Sequence, residues 1–112
     1  MSRLKPIPKK LLIHTVKYEE YLGSSRNGDI YADEITVNHV LIHPSFQVKR
    51  TIMGDDRQIK AVIFIDHKHS KPFAEMKPKS KVHFKGKDWI VNACAPIYAF
   101  STTPHHYEVE LI

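Results

Sequence analysis

Histidine is the residue whose type and spacing first invite chemistry in this chain. Eight histidines occur in 112 residues. The tightest group is Asp66-His67-Lys68-His69, and His105-His106 forms a second. Alternate residues of an extended segment share a face, so His67 and His69 can reach one ion together. A working site also needs a third donor and a supporting shell, which spacing alone does not supply. The competing reading is a polar loop leaving a buried strand, with ordinary exposed histidines. No metal and no other cofactor is assigned.

Nucleophilic chemistry finds less support. Ser24, Ser25, Ser45, Ser70, Ser80 and Ser101 fall in segments that read as loops. None sits in a Gly-x-Ser-x-Gly elbow. Cys94 lies beside alanines in a strand-like stretch, as a small core or interface residue does. The acidic pairs Asp55-Asp56 and Glu19-Glu20 read as turn and surface charges. There is no phosphate-cradling glycine-rich loop. The expectation is a protein that is not an enzyme.

Charge is more suggestive. The formal net charge is +5, which suits contact with a polyanion or an acidic surface. Lys68, Lys71, Lys77, Lys79, Lys81, Lys85 and Lys87 cluster in one third of the chain, and Arg3, Lys5, Lys9 and Lys10 add a basic N-terminal arm. Phe73, Phe84 and Trp89 are interleaved with the lysines, as in small barrels that bind single-stranded nucleic acid. Against this, alternation turns Phe84 and Trp89 inward and leaves the lysines as a solvated rim. Lysine in place of arginine suits non-specific charge more than base reading.

These side chains need elements to position them. With 42% apolar residues, the chain has the composition of one folded domain and not of a disordered segment. We expect an extended basic arm over residues 1–10 and a single domain over 11–112. One cysteine gives no internal disulfide framework and fits a reducing cytoplasm during synthesis. No apolar run approaches the ~20 residues that span a bilayer, and the basic N-terminus lacks a signal-peptide pattern.

Period-two alternation recurs along the chain. Leu12, His14, Val16 and Tyr18 predict strand one, with Leu11 to Ile13 apolar enough to be covered on both sides. Gly23 to Asp29 reads as a loop around an Asn-Gly turn. Glu34 to His43 predicts strand two, with a phase switch at Asn38-His39 that suggests a bulge. Phe46 to Lys49 is a short strand candidate, and Gly54 to Arg57 a turn. Ala61 to Ile65 predicts a buried central strand. His67 to Ser80 is a long loop with room for one turn at Phe73 to Met76. Lys81 to Ala95 predicts a hairpin, interrupted at Pro96 and continuing from Ile97 to Phe100. Tyr107, Val109 and Leu111 form a last inward row. The expected core is Ile63, Phe64, Ile65, Val82, Phe84, Trp89, Val91, Tyr107 and Val109. About six short strands point to a small barrel or sandwich.

In ordered succession, the motifs resemble a known family. Lys5-Pro6-Ile7-Pro8-Lys9-Lys10-Leu11-Leu12-Ile13-His14 resembles the opening of minor capsid proteins of tailed phages and prophages of Gram-positive bacteria. Ala61-Val62-Ile63-Phe64-Ile65-Asp66, then His69-Ser70-Lys71-Pro72-Phe73, then Lys79-Ser80-Lys81-Val82 follow in the same order. The Phe84-Lys85-Gly86-Lys87 hairpin and the closing His106-Tyr107-Glu108-Val109-Glu110-Leu111-Ile112 complete it.

The resemblance implies an all-β fold, a small β-barrel of about six short strands with long loops. It implies a head–tail connector of stopper or head-completion type, found at the head–tail junction of the virion. Its partners would be portal or adaptor and tail proteins, copies of itself in a ring, and packaged double-stranded DNA in non-specific contact, with no membrane. Within that frame, Gln47 to Lys60 is the expected channel segment, with Lys49, Arg50, Asp55, Asp56, Arg57 and Lys60 as its charged candidates. Arg3, Lys5, Pro6, Ile7, Lys9 and Lys10 are the expected assembly contacts, because an extended arm can add to a neighbour's sheet.

Overall fold

The computed structural model describes residues 5–99 and 101–112. Six strands close into an antiparallel barrel: β1 (His14–Glu19), β4 (Ile35–Pro44), β7 (Ala61–Asp66), β10 (Pro104–Leu111), β9 (Lys87–Tyr98) and β8 (Lys81–Phe84), in that order around the wall. Two small ribbons stand apart from it. One joins β2 (Tyr21–Ser25) to β3 (Gly28–Tyr31), and the other joins β5 (Val48–Arg50) to β6 (Asp56–Gln58). The fold is thus the expected all-β barrel.

Alternation builds the core. Ala61, Ile63 and Ile65 of β7 point inward and are buried, as are Val16 and Tyr18 of β1, Val82 of β8, Val91 of β9, and Val109 and Leu111 of β10. β7 has no free edge: it pairs with β4 on one side and β10 on the other. Phe84, Trp89 and Tyr107 pack against this core while keeping some exposure. Phe64 does not join it. It occupies the outward parity of β7, half-buried near the His106 ring at 6.0 Å. A continuous apolar run implies cover on both faces, but a barrel covers only the inner one.

The bulge predicted at Asn38-His39 is present. Across from β1, His14 pairs with Val40 and Val16 with Val37, so β4 carries one extra residue there. His39 takes it up at φ 58°, and Val37 and Val40 both end inward. At the β8–β9 turn, Lys85 (φ 49°) and Gly86 (φ 77°) give the left-handed pair that matches strand twist.

Several local expectations are corrected. Lys9–Leu11 is a short 3-10 turn, so strand one begins at His14. Leu11 and Ile13 are not covered on both sides; Ile13 is 71% exposed. Gly23 to Asp29 is not a free loop but the body and turn of the β2–β3 hairpin. Glycine and serine are weak strand formers, and they hid it. Phe73 to Met76 forms no regular turn. Pro96 does not interrupt its strand. It lies within β9 opposite Tyr107, past the stretch that pairs with β8, where its missing N–H forfeits no ladder bond. Phe100 and Arg3 lie outside the described residues.

Candidate functional site

The β5–β6 ribbon carries most of the expected channel residues. It connects β4 to β7 and hydrogen-bonds as a sheet only to itself, with Val48 opposite Gln58, Lys49 opposite Arg57 and Arg50 opposite Asp56. Turn chemistry explains it. Gly54 takes φ 88°, and Thr51 both accepts from Met53 N and donates to Asp55 Oδ1.

Its charges cancel locally. Arg57 Nε meets Asp55 Oδ1 at 2.9 Å, and Arg50 Nε meets Asp56 Oδ1 at 3.2 Å. Lys49 Nζ pairs with Glu110 Oε2 of β10 at 2.6 Å. Lys60 is exposed, and its backbone N–H donates to the Leu111 carbonyl at 2.7 Å. The structure therefore brings Lys49, Arg50, Asp55, Asp56 and Arg57 together on one ribbon, with Lys60 at its base.

The ribbon is fastened to the barrel. Glu110 Oε1 accepts from Asn92 Nδ2 at 3.0 Å, and Asn92 Oδ1 accepts the Ile52 backbone N–H at 2.6 Å. Lys49, Glu110, Asn92 and Ile52 thus form one relay from the ribbon to β9 and β10 and back. Ile59 is fully buried at the ribbon's foot. The outer surface is apolar as well as charged: Phe46 is 82% exposed and Val48 65%. The sequence flagged the ribbon but not its fastening, because Asn92 and Glu110 carry no motif and are distant in sequence.

The N-terminal arm docks at the other end of β7. Ile7 N donates to Asp66 Oδ1 at 2.9 Å, and His105 Nε2 donates to the Lys5 carbonyl at 2.7 Å. Pro6 and Ile7 are half-buried there, while Lys5, Lys9 and Lys10 are exposed. Asp66 itself is fully buried. Its Oδ2 accepts the N–H groups of Lys68 and His69, each at 3.0 Å. The Ser70 hydroxyl accepts from Asp66 N and donates to the His39 carbonyl, which ties the long loop to the bulge. In the sequence Asp66 shows only as the residue that ends the Ala61–Ile65 run. Its one legible signal is an aspartate that closes an apolar run, a residue type that accepts the N–H two positions on in an Asx turn, as it does here from Lys68.

Among the described residues, His67 and His69 belong to no group of three close metal-type donors. The His67 ring packs edge-on to Phe73 at 4.9 Å. Among the described residues, the one group of three close metal-type donors is Glu19, Glu34 and His83. His83 sits between carboxylates, with Nδ1 at 2.6 Å from Asp88 and Nε2 at 2.5 Å from Glu19. Hydrogen bonds that its ring N–H groups donate to Asp88 and then to Glu19 hold its pKa above the ordinary histidine value, against the effect of burial. The interleaved aromatics do not stand free as stacking platforms. Phe73 stacks on Tyr107 at 4.8 Å, and Phe84 and Trp89 lie against the core. Burial pushes the Cys94 thiol pKa up, which makes it a poor nucleophile.

A closed barrel with an anchored, charge-balanced ribbon and a docked arm has the makings of an assembly component. The chain belongs to the minor capsid protein family, whose sequence pattern matches residues 8–111. That family is structural, so the chain is a component of a phage particle. A comparison with curated proteins found no match.

Proposed function

We propose that the protein acts at the head–tail junction as a connector of stopper or head-completion type. It would form a ring beneath the portal or adaptor, retain packaged DNA and dock the tail. The observation that carries this reading is the β5–β6 ribbon. It is a two-stranded unit separate from the barrel wall, fastened to it by the Lys49–Glu110–Asn92–Ile52 relay, by the Lys60 N–H bond to Leu111 at its base and by buried Ile59. Such a unit can change position without unfolding the wall that bears it.

Its paired charges fit close passage of DNA. A ribbon of free lysines and arginines would neutralise phosphates and grip them, each contact adding salt-dependent affinity. Here Asp55 and Asp56 already occupy Arg57 and Arg50. Exposed Phe46, Val48, Leu11 and Ile13 supply apolar area for neighbours. Ring contacts are heterologous, so two different surfaces of the chain must meet. The arm and the ribbon, at opposite ends of β7, are the two surfaces proposed.

Electron microscopy of virions tests the location. Density for this barrel at the head–tail junction is the expected result, and density in the tail tube or capsid shell would refute it. Removing the ribbon tip from Ile52 to Gly54 tests the gating role. The barrel should stay folded while packaged heads lose DNA. Heads that keep their genomes and join tails normally would sink the gating role.

A further inference from the structure

We propose that Glu19, Glu34 and His83 form a divalent-cation site suited to a borderline ion such as zinc. This goes beyond the connector reading and does not depend on it. The three donors arrive from three elements: Glu19 from β1, His83 from β8, and Glu34 from the connection into β4. Their ligand atoms all lie within 4.8 Å of one another. On the β1–β8 pair, Lys17 opposes His83 and Glu19 opposes Lys81, so Glu19 and His83 are diagonal neighbours on the outer wall.

The imidazole is oriented for coordination. Asp88 Oδ1 sits 2.6 Å from Nδ1, the position of the supporting carboxylate in metal-bound histidines. That fixes Nε2 toward the two glutamates, 2.5 Å from Glu19 Oε2 and 3.9 Å from Glu34 Oε2. Donors around a tetrahedral ion with ~2.0–2.1 Å bonds stand ~3.3 Å apart. Each of these two distances therefore needs a shift of under about 1 Å. The histidine and Glu19 side chains are only 25% and 27% exposed, so both keep defined positions.

Local charge points the same way. Three carboxylates surround one imidazole, in a chain whose net charge is +5. The lysine that opposes Glu19 does not neutralise it: Lys81 Nζ lies over the Tyr31 ring at 4.3 Å. A divalent cation would balance this concentration of negative charge. An imidazole donor favours zinc over magnesium or calcium, which prefer oxygen alone. The site spans the β1–β8 seam, which closes the barrel through only three register pairs. A bound ion would pin that seam and the approach to β4.

Isothermal titration of the full, metal-free chain with zinc chloride tests the proposal. The titration is run at mildly alkaline pH so that the imidazole is neutral. One ion should bind per chain. Glu34→Gln, at an exposed position, should weaken binding at least ~10-fold, and Asp88→Asn about 10- to 100-fold. A His67→Gln/His69→Gln double variant should bind as the parent does. Circular dichroism checks that each variant is folded. Absence of zinc binding would overturn the site. So would affinity unchanged in both Glu34→Gln and His83→Gln, or affinity lost in the His67/His69 variant.

Discussion

Replacing Asn92 with alanine should loosen the β5–β6 ribbon more than breaking the Lys49–Glu110 ion pair that ties it to the barrel. Asn92 is 8% exposed and holds the ribbon through its 2.6 Å bond from Ile52 N. Alanine leaves that N–H without its acceptor and Glu110 Oε1 without its donor. A part-buried loss of this kind costs about 1–3 kcal/mol. The Lys49–Glu110 pair is shorter than most, but its side chains are 39% and 20% exposed. Lys49→Met keeps the aliphatic stem and removes only a screened ion pair, for about 0.2–1 kcal/mol. Urea titration of both variants gives the comparison through their midpoints at constant slope. Amide exchange at Ile52 gives the local readout, with faster exchange expected in Asn92→Ala. The two changes meet at Glu110, so the double variant should not be additive. A Lys49→Met variant as destabilised as Asn92→Ala would refute the claim that the neutral amide is the main fastener.

Three further outcomes follow from the same fold. Ile59→Ala removes the buried foot of the ribbon and should cost about 2–5 kcal/mol by chemical denaturation. His39→Val should cost roughly 1–2 kcal/mol, because a β-branched residue resists φ 58°, whereas His39→Gly should be neutral or stabilising in the same assay. His14 Nδ1 accepts the Ile42 N–H at 3.0 Å, which requires an unprotonated nitrogen, and burial followed by the Lys85 charge lowers its pKa. A lowered folded pKa gives a stability contribution that is full above the unfolded value of 6.5 and is lost as pH falls toward the folded value. Denaturation midpoints of wild type and His14→Gln should therefore differ most above about pH 6.5 and converge at lower pH.

Much of the barrel was legible because alternation is a direct print of a pleated wall with one wet face. The β7 run, the β8–β9 hairpin and the β4 phase switch all announced themselves in residue type and parity. Phe64 was misplaced because apolar character on both parities does not say which face has a partner. The β2–β3 hairpin was missed because its Gly23-Ser24-Ser25 segment carries turn-like residues into strand pairing. The ribbon was legible as a charged, glycine-bearing segment between strands, yet its fastening was not. Glu110 meets Lys49, and Asn92 meets Ile52, only after β9 and β10 pair, across 61 and 40 positions of sequence separation. The Glu19–Glu34–His83 cluster is hidden for the same reason: barrel closure brings its members together, and no local motif holds them.

Asp66 gives one carboxylate to two tasks. Oδ1 holds the arm through Ile7, while Oδ2 holds the long loop through Lys68 and His69. An arm that simply leaves exposes a buried acceptor to a deficit of about 1–3 kcal/mol. An arm replaced by the same residues from an adjacent copy restores that bond like for like. If copies stand side by side as proposed above, exchange of arms would cost less than release, and a solitary barrel would keep its own. The same carboxylate that closes the monomer would then be the socket through which each copy is threaded to the next.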